Sequence, residues 1–202
     1  PIYPTPVIGM VGLVPDITKI CGQSWTRQGD FIYLLGNSAS SLGGSEYLAA
    51  VHGTVAGKPP KVDFDLERSV QAACRHGISQ GWVSSAHDIA EGGLGVALAE
   101  ACIGNNFGAK VQIPVSESQR LDEVLFGEVA SQIIVSVSPN SAEAWEAYLN
   151  SNLVDRWGRI GIVGQSQGLL EILTKDNLSL INVKIEKLVM TWSQAIENRL
   201  VS

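Results

Sequence analysis

Apolar positions along the chain follow two periods, one of strands and one of helices. Residues 7–14 form a near-continuous apolar run of strand length, the pattern of a strand buried on both faces, and Pro15-Asp16 ends it. A second run, 31–35, follows Gly29-Asp30. Leu66, Val70, Ala73 and Cys74 fall on one helical face behind Asp63 or Asp65, either of which suits an N-cap, and the helix is expected to end near Gly77. Trp82 and Val83 then lead a buried strand into Ser85-Ala86-His87-Asp88. Beyond a turn, Leu94, Ala97, Leu98, Ala101 and Cys102 take the i, i+3, i+4, i+7, i+8 positions of an amphipathic helix, closed by Gly104-Asn105-Asn106.

Further along, the pattern predicts a strand over 109–115, a short helix over 119–126 and a turn at Phe126-Gly127-Glu128. It continues with an alternating β-branched strand over 131–137 and a helix over 142–149 carrying Trp145 and Leu149. Runs 159–164 and 169–174 read as a hairpin across Gln165-Ser166-Gln167-Gly168. A last strand over 181–185 and a last helix over 186–200, bearing Leu188, Trp192 and Ile196, complete the chain. Strands and helices interleave irregularly, so the expected class is α/β or α+β, a mixed sheet flanked by helices. Residues 1–6 hold three prolines and are expected to be extended. The polar stretch from Asp16 to Gly29 reads as a linker with a domain boundary near Gly22, leaving a main domain over 23–202.

Composition narrows the function classes. With 202 residues and 45% hydrophobic content, the chain buries the core of one domain of ordinary size. Its net charge is -6, and its 14 Lys and Arg residues form no basic run, which argues against nucleic acid as partner. Cys21, Cys74 and Cys102 are far apart with no C-x-x-C pair, which fits a reducing cytoplasm better than a disulfide framework or a zinc site. No uncharged apolar run is of bilayer-spanning length. The chain opens on Pro1, so a piece of something longer or a processed chain is expected. Phosphate-loop, dinucleotide, serine-hydrolase and zinc-protease motifs are absent.

Two stretches carry candidate chemistry. In Asp88-Ile89-Ala90-Glu91-Gly92-Gly93, the glycines lack side chains, so the first N–H groups of the following helix would lie open to an anion such as phosphate. Asp88 and Glu91 would repel a bare phosphate, and Mg²⁺ between carboxylates and phosphate oxygens reconciles the two facts. The plainer alternative is that Asp88 caps the helix, Glu91 meets its dipole and the glycines allow close packing. Leu42-Gly43-Gly44-Ser45-Glu46 is the second stretch, either a phosphate cradle at a helix start or a connector with Ser45 as N-cap. His87 is expected to serve packing or hydrogen bonding, not as a general base. The residues alone make no complete active site.

These motifs stand in an order that resembles a known family. Ile2-Tyr3-Pro4-Thr5-Pro6-Val7-Ile8-Gly9-Met10-Val11-Gly12-Leu13, Gly29-Asp30, Leu42-Gly43-Gly44-Ser45-Glu46-Tyr47-Leu48, Ala86-His87-Asp88-Ile89 and Glu91-Gly92-Gly93-Leu94 are similar to the C-terminal part of the synthetase subunit of phosphoribosylformylglycinamidine synthase. That enzyme belongs to the aminoimidazole ribonucleotide synthetase superfamily. Phe126-Gly127-Glu128 and Gly161-Ile162-Val163-Gly164 extend the match. The resemblance implies that residues 1–22 are the tail strand of a preceding N-type domain plus linker, and 23–202 a C-type synthetase domain. It implies an ATP-dependent ligase of purine biosynthesis. Formylglycinamide ribonucleotide, glutamine-derived ammonia and ATP would become the amidine, ADP and phosphate, with Mg²⁺ offsetting charge. The implied partners are upstream domains of the same enzyme and a glutaminase subunit; the apolar strand over 7–14, left without its neighbouring domain, would pair with a second copy or fold back on its own domain.

Catalytic residues would precede Pro1, so none is assigned here, and the isolated chain is expected to be inactive. The resemblance assigns Gly43, Gly44, Ser45, Gly92 and Gly93 to nucleotide phosphate and Asp88, Glu91 and Glu128 to the metal, as a weak or auxiliary site. Ala90 stands where the family usually has Ser or Thr, which removes one hydroxyl from that surface. Two other readings stay open: another ATP-dependent synthetase or kinase of the superfamily, or a non-enzymatic interaction module.

Overall fold

Strand β1 (Phe31–Leu35) lies at the centre of the sheet, and both its faces are covered. Ile32 points into one hydrophobic cluster, while Tyr33 and Leu35 point into another. That two-sided burial is why the run is apolar at every position and does not alternate. The computed structural model describes residues 7–36, 41–113, 115 and 119–201. Their elements continue with α1 (Glu46–His52), α2 (Phe64–Ser79), β2 (Val83–Asp88), α3 (Gly93–Ile103), β3 (Phe107–Ile113), α4 (Leu121–Phe126) and β4 (Ile133–Val137). Then come α5 (Ala142–Asn152), β5 (Trp157–Ser166), β6 (Leu169–Thr174), β7 (Ser179–Lys184), α6 (Ile185–Ser193) and α7 (Ala195–Val201).

The seven strands form one sheet in the order β2-β4-β1-β5-β3-β6-β7. All neighbours are antiparallel except β3 and β6, so the sheet is mixed, as the irregular alternation of elements predicts. On one face Leu94, Leu98, Ala101 and Cys102 of α3 pack with Ile185 of α6 and the sheet residues Ile32, Val111, Ile134, Val163 and Ile172. On the other, Val70, Ala73 and Cys74 of α2 and Trp145 and Leu149 of α5 cover Tyr33, Leu35, Val83, Val135 and Val137. These last residues belong to β1, β2 and β4 only. In β3, Val111 is buried while its neighbours Lys110 and Gln112 are exposed.

Several sequence expectations are corrected. β5 and β6 are not a hairpin, because β3 is inserted between them, antiparallel to β5 and parallel to β6. Local turn signals report sequence proximity and carry no information about a strand arriving from fifty residues upstream. The last helix is two helices, broken at Gln194. The stretch read as a linker enters the core at Trp25, which is fully buried and donates its backbone N–H to Ala101 O at 2.9 Å. Residues 7–14 form no strand: Val7, Met10, Val11 and Leu13 stand more than nine-tenths exposed. A strand needs a ladder to receive its N–H and C=O groups, and among the described residues no strand pairs with this segment. The expected extended stretch 1–6 lies outside the described residues. No helix among the described residues is long and apolar enough to cross a membrane.

The cysteines are free, and two are buried. Burial pushes the Cys74 thiol up to about 11 and that of Cys102 to about 12, from an ordinary value of 9.0. Burial also raises the Tyr33 phenol, reinforced by its hydrogen bond to Glu146. The folded chain thus keeps these protons to higher pH than the unfolded chain does, so their stabilising effect is complete below about pH 9 and lost as pH rises toward 12. The urea midpoint is expected to fall between pH 8.5 and 10.5, and to fall less steeply in Cys102→Ala.

Candidate functional site

Helix α3 starts without a side-chain cap. Gly92 is its N-cap at φ of 80°, and Gly93 follows at 68°, both in the left-handed region that glycine adopts without strain. A Cβ on Gly93 would lie 2.7 Å from Phe126 C and 2.8 Å from Gly127 O, so the turn after α4 is pressed directly against this helix start. Glu128, next in the chain, is thereby carried over the turn. Its Oε1 accepts the Gly92 N–H at 2.9 Å and also the Glu46 N–H, at the start of α1, at 2.7 Å. The Glu128 N–H in turn donates to Ser41 O at 3.1 Å. Tyr47 stacks on Phe126 with ring centroids 5.0 Å apart, closing the junction from the side.

The two glycine stretches singled out in the sequence are therefore brought together, with one carboxylate between them. Their amides, however, are not open. Gly43 N donates to Ser41 Oγ at 3.1 Å, Gly44 N to Ala56 O at 2.8 Å and Ser45 N to Leu42 O at 3.1 Å. Gly93 N donates to Ala90 O at 3.1 Å, and Gly92 N is taken by Glu128. The Ser45 hydroxyl caps α1, accepting from Leu48 N at 3.4 Å and donating to Leu42 O at 2.7 Å. The plainer alternative holds here for Ser45. It fails for Asp88, which ends β2 and caps nothing; the acid that serves α3 is Glu128, 36 residues away from Gly92.

The acids assigned to a metal do not form a cage. Asp88 is 76% exposed with its Oδ1 3.4 Å from His87 Nδ1, Glu91 is exposed in the turn, and one Glu128 oxygen already holds two amides. Among the described residues no group of three His, Cys, Asp or Glu side chains suits a metal ion. Magnesium is commonly held by one or two carboxylates together with phosphate oxygens and water, so an ion here would depend on a phosphate ligand to complete its shell.

His87 is held by a residue the sequence did not suggest. Its Nε2 lies 3.0 Å from Glu100 Oε2 on α3, and its ring is 9% exposed. Strand alternation would put His87 and Asp88 on opposite sides, yet the two side chains meet because β2 ends at Asp88 and the pleat stops with it. Nothing local links His87 to Glu100; the packing of α3 on β2 does. The half-buried carboxylate of Glu67, which accepts from Ser131 Oγ at 2.6 Å, is equally silent in the sequence.

A mixed sheet with helices on both faces, and a central strand–turn–helix unit whose glycine turn is closed by a distant glutamate, define the class: an α/β domain built on a mixed sheet. The chain belongs to the family described as AIR synthase related protein, C-terminal domain, whose model matches residues 27–172. It is 58% identical over 202 residues to the phosphoribosylformylglycinamidine synthase subunit PurL of Trichormus variabilis, covering 99% of this chain and 26% of that protein. It is 56% identical to the subunit of the same name from Synechocystis, again across 26% of its length. The chain thus spans about a quarter of the length of the curated relatives it matches. The solved PurL of Thermotoga maritima complexed with ATP has the same fold, with a TM-score of 0.67 at 19% identity over 86% of this chain and 28% of that one.

Proposed function

We propose that this chain is the C-terminal domain of an ATP-dependent phosphoribosylformylglycinamidine synthase, a ligase of purine biosynthesis working in the cytoplasm. On this reading the main domain is 23–202, residues 1–22 link it to an upstream domain, and a glutaminase subunit supplies ammonia to the whole enzyme. The unbroken similarity to PurL across 99% of the chain carries the assignment. The geometry supports an auxiliary share in it. Gly43, Gly44, Ser45, Gly92 and Gly93, the residues expected to cradle a nucleotide phosphate, have their N–H groups bonded within the chain. A phosphate would have to displace Glu128 from Gly92 and break the internal bonds of the other amides to reach them, so nucleotide affinity at this turn is weak. Incubated with the formylglycinamide ribonucleotide, ATP, Mg²⁺ and ammonia, the isolated chain is expected to give no ribonucleotide-dependent release of ADP. Sustained release would overturn the auxiliary reading.

The exposed apolar segment 7–14 bears on the second-copy partner. It carries no Lys, Arg, Asp or Glu to discourage pairing, and burying such residues stabilises by roughly 25 cal/mol per Å² of apolar surface. In the isolated chain it is expected to pair with a second copy. Light scattering should show a species larger than a monomer, and a version starting at Gly22 should be a monomer. A monomeric full chain would exclude the pairing.

A further inference from the structure

The face of the sheet opposite α3 is covered by α2 and α5 over β1, β2 and β4, and is bare farther along, over β5, β3 and the β6–β7 turn. A groove of about 520 Å³ crosses this bare part, with Phe31 at one end and Asn177 at the other. Lys110 of β3, Arg159 of β5 and Lys175 after β6 line it, and no acidic residue does, in a chain whose net charge is -6. Arg159 is held in place, its guanidinium 4.6 Å from the centre of the Phe31 ring and 3.9 Å from Glu146 Oε1. Lys110 and Lys175 make no ion pair or hydrogen bond through their side chains among the described residues, although Glu171 lies opposite Lys110 in the β3–β6 register. Gln112 donates to Asn177 Oδ1 at 2.8 Å, which leaves the Asn177 amide nitrogen as a further donor at the groove's edge.

We propose that this groove binds a small molecule carrying linked phosphates. Charge sets the sign of the ligand: three cations, two of them unpaired, face one concavity. Spacing sets its size. The cations stand on or just beyond three adjacent strands, which at about 4.8 Å per strand spreads them across roughly 10 Å. A single phosphate spans too little of that width to meet them all, whereas a diphosphate or triphosphate meets two or three at once. The floor supplies no competing acceptor set, because the strand backbones there are already paired in the ladder. The groove lies on the other face of the sheet from the glycine turns and does not depend on them.

Calorimetric titration of the chain with tripolyphosphate and with inorganic phosphate tests this. Tripolyphosphate is expected to bind at least ten-fold more tightly than phosphate, and to weaken as salt rises. Lys110→Glu combined with Lys175→Glu should reduce that affinity at least ten-fold with an unchanged melting temperature, since both side chains are exposed. Absence of saturable tripolyphosphate binding, or equal binding by the double variant, would overturn the proposal. So would loss of binding on Gly93→Ala with the double variant unaffected, which would place the ligand at the glycine turns. A short single-stranded oligonucleotide of equal charge that displaces tripolyphosphate and binds more tightly would overturn it as well, by making the surface one for nucleic acid.

Discussion

Gly93→Ala is expected to destabilise the chain by about 3 kcal/mol or more, one of the largest single-site effects in the domain. Two terms add. At φ of 68° an alanine is held in the left-handed region, which costs about 1–2 kcal/mol. The new methyl would also stand 2.7 Å from Phe126 C and 2.8 Å from Gly127 O, and both are backbone atoms that no rotamer change moves aside. Relief requires the α4 turn to withdraw from α3, and Glu128 leaves with it. Gly95→Ala is the control. That position is the third residue of α3, and its methyl would meet the Phe126 ring edge at 3.1 Å and Leu125 O at 3.2 Å. The helix there gains about 1 kcal/mol of propensity from alanine, so the net change should stay small. Urea unfolding of the two variants separates them, and equal midpoints would mean that the contact at Gly93 is not the constraint.

The chain's own residues made the central unit legible. The spacing of Leu94, Ala97, Leu98, Ala101 and Cys102 is that of α3, and all five are buried in one cluster. Of the two acids ahead of the apolar stripe that could cap α2, Asp63 does so, accepting from Asp65 N and Leu66 N at 3.1 Å. What stayed hidden is what depends on distant strands. The insertion of β3 between β5 and β6 leaves no mark on the Gln165-Ser166-Gln167-Gly168 turn, which reads as a hairpin whichever neighbour its strands take. The glycine turns were recognisable as turns, but whether their amides faced a ligand or the chain itself was decided partly by Leu42 and Ala90 within the motifs and partly by Ser41, Ala56 and Glu128 outside them. Trp25 sits in a polar stretch with no local apolar pattern to mark it as core, although it falls inside the expected main domain; its burial comes from α3, whose Ala101 carbonyl receives its N–H.

Glu128→Ala is expected to destabilise the chain by about 2–3 kcal/mol, more than its partial exposure alone would suggest. One carboxylate oxygen satisfies two helix-start N–H groups from elements far apart in sequence, at 2.7 and 2.9 Å. Hydrogen bonds to a charged acceptor contribute about 1.5–3 kcal/mol each when buried and less where water competes. The charge also stands at the positive end of α3, a term of about 0.3–1 kcal/mol that salt screens. Glu128→Gln keeps an acceptor oxygen of similar reach and loses the charge, so its cost should be roughly a third to a half of the alanine's. Hydrogen exchange distinguishes this clamp from general loosening. In Glu128→Ala the Gly92 and Glu46 amides should exchange faster by at least the factor of ten that corresponds to about 1.4 kcal/mol, while Leu98 in the middle of α3 and Cys102 in its last turn keep the protection set by global unfolding. If Gly92 and Glu46 exchange no faster than in the parent chain, Glu128 is a surface acid that rests on the turn without holding it.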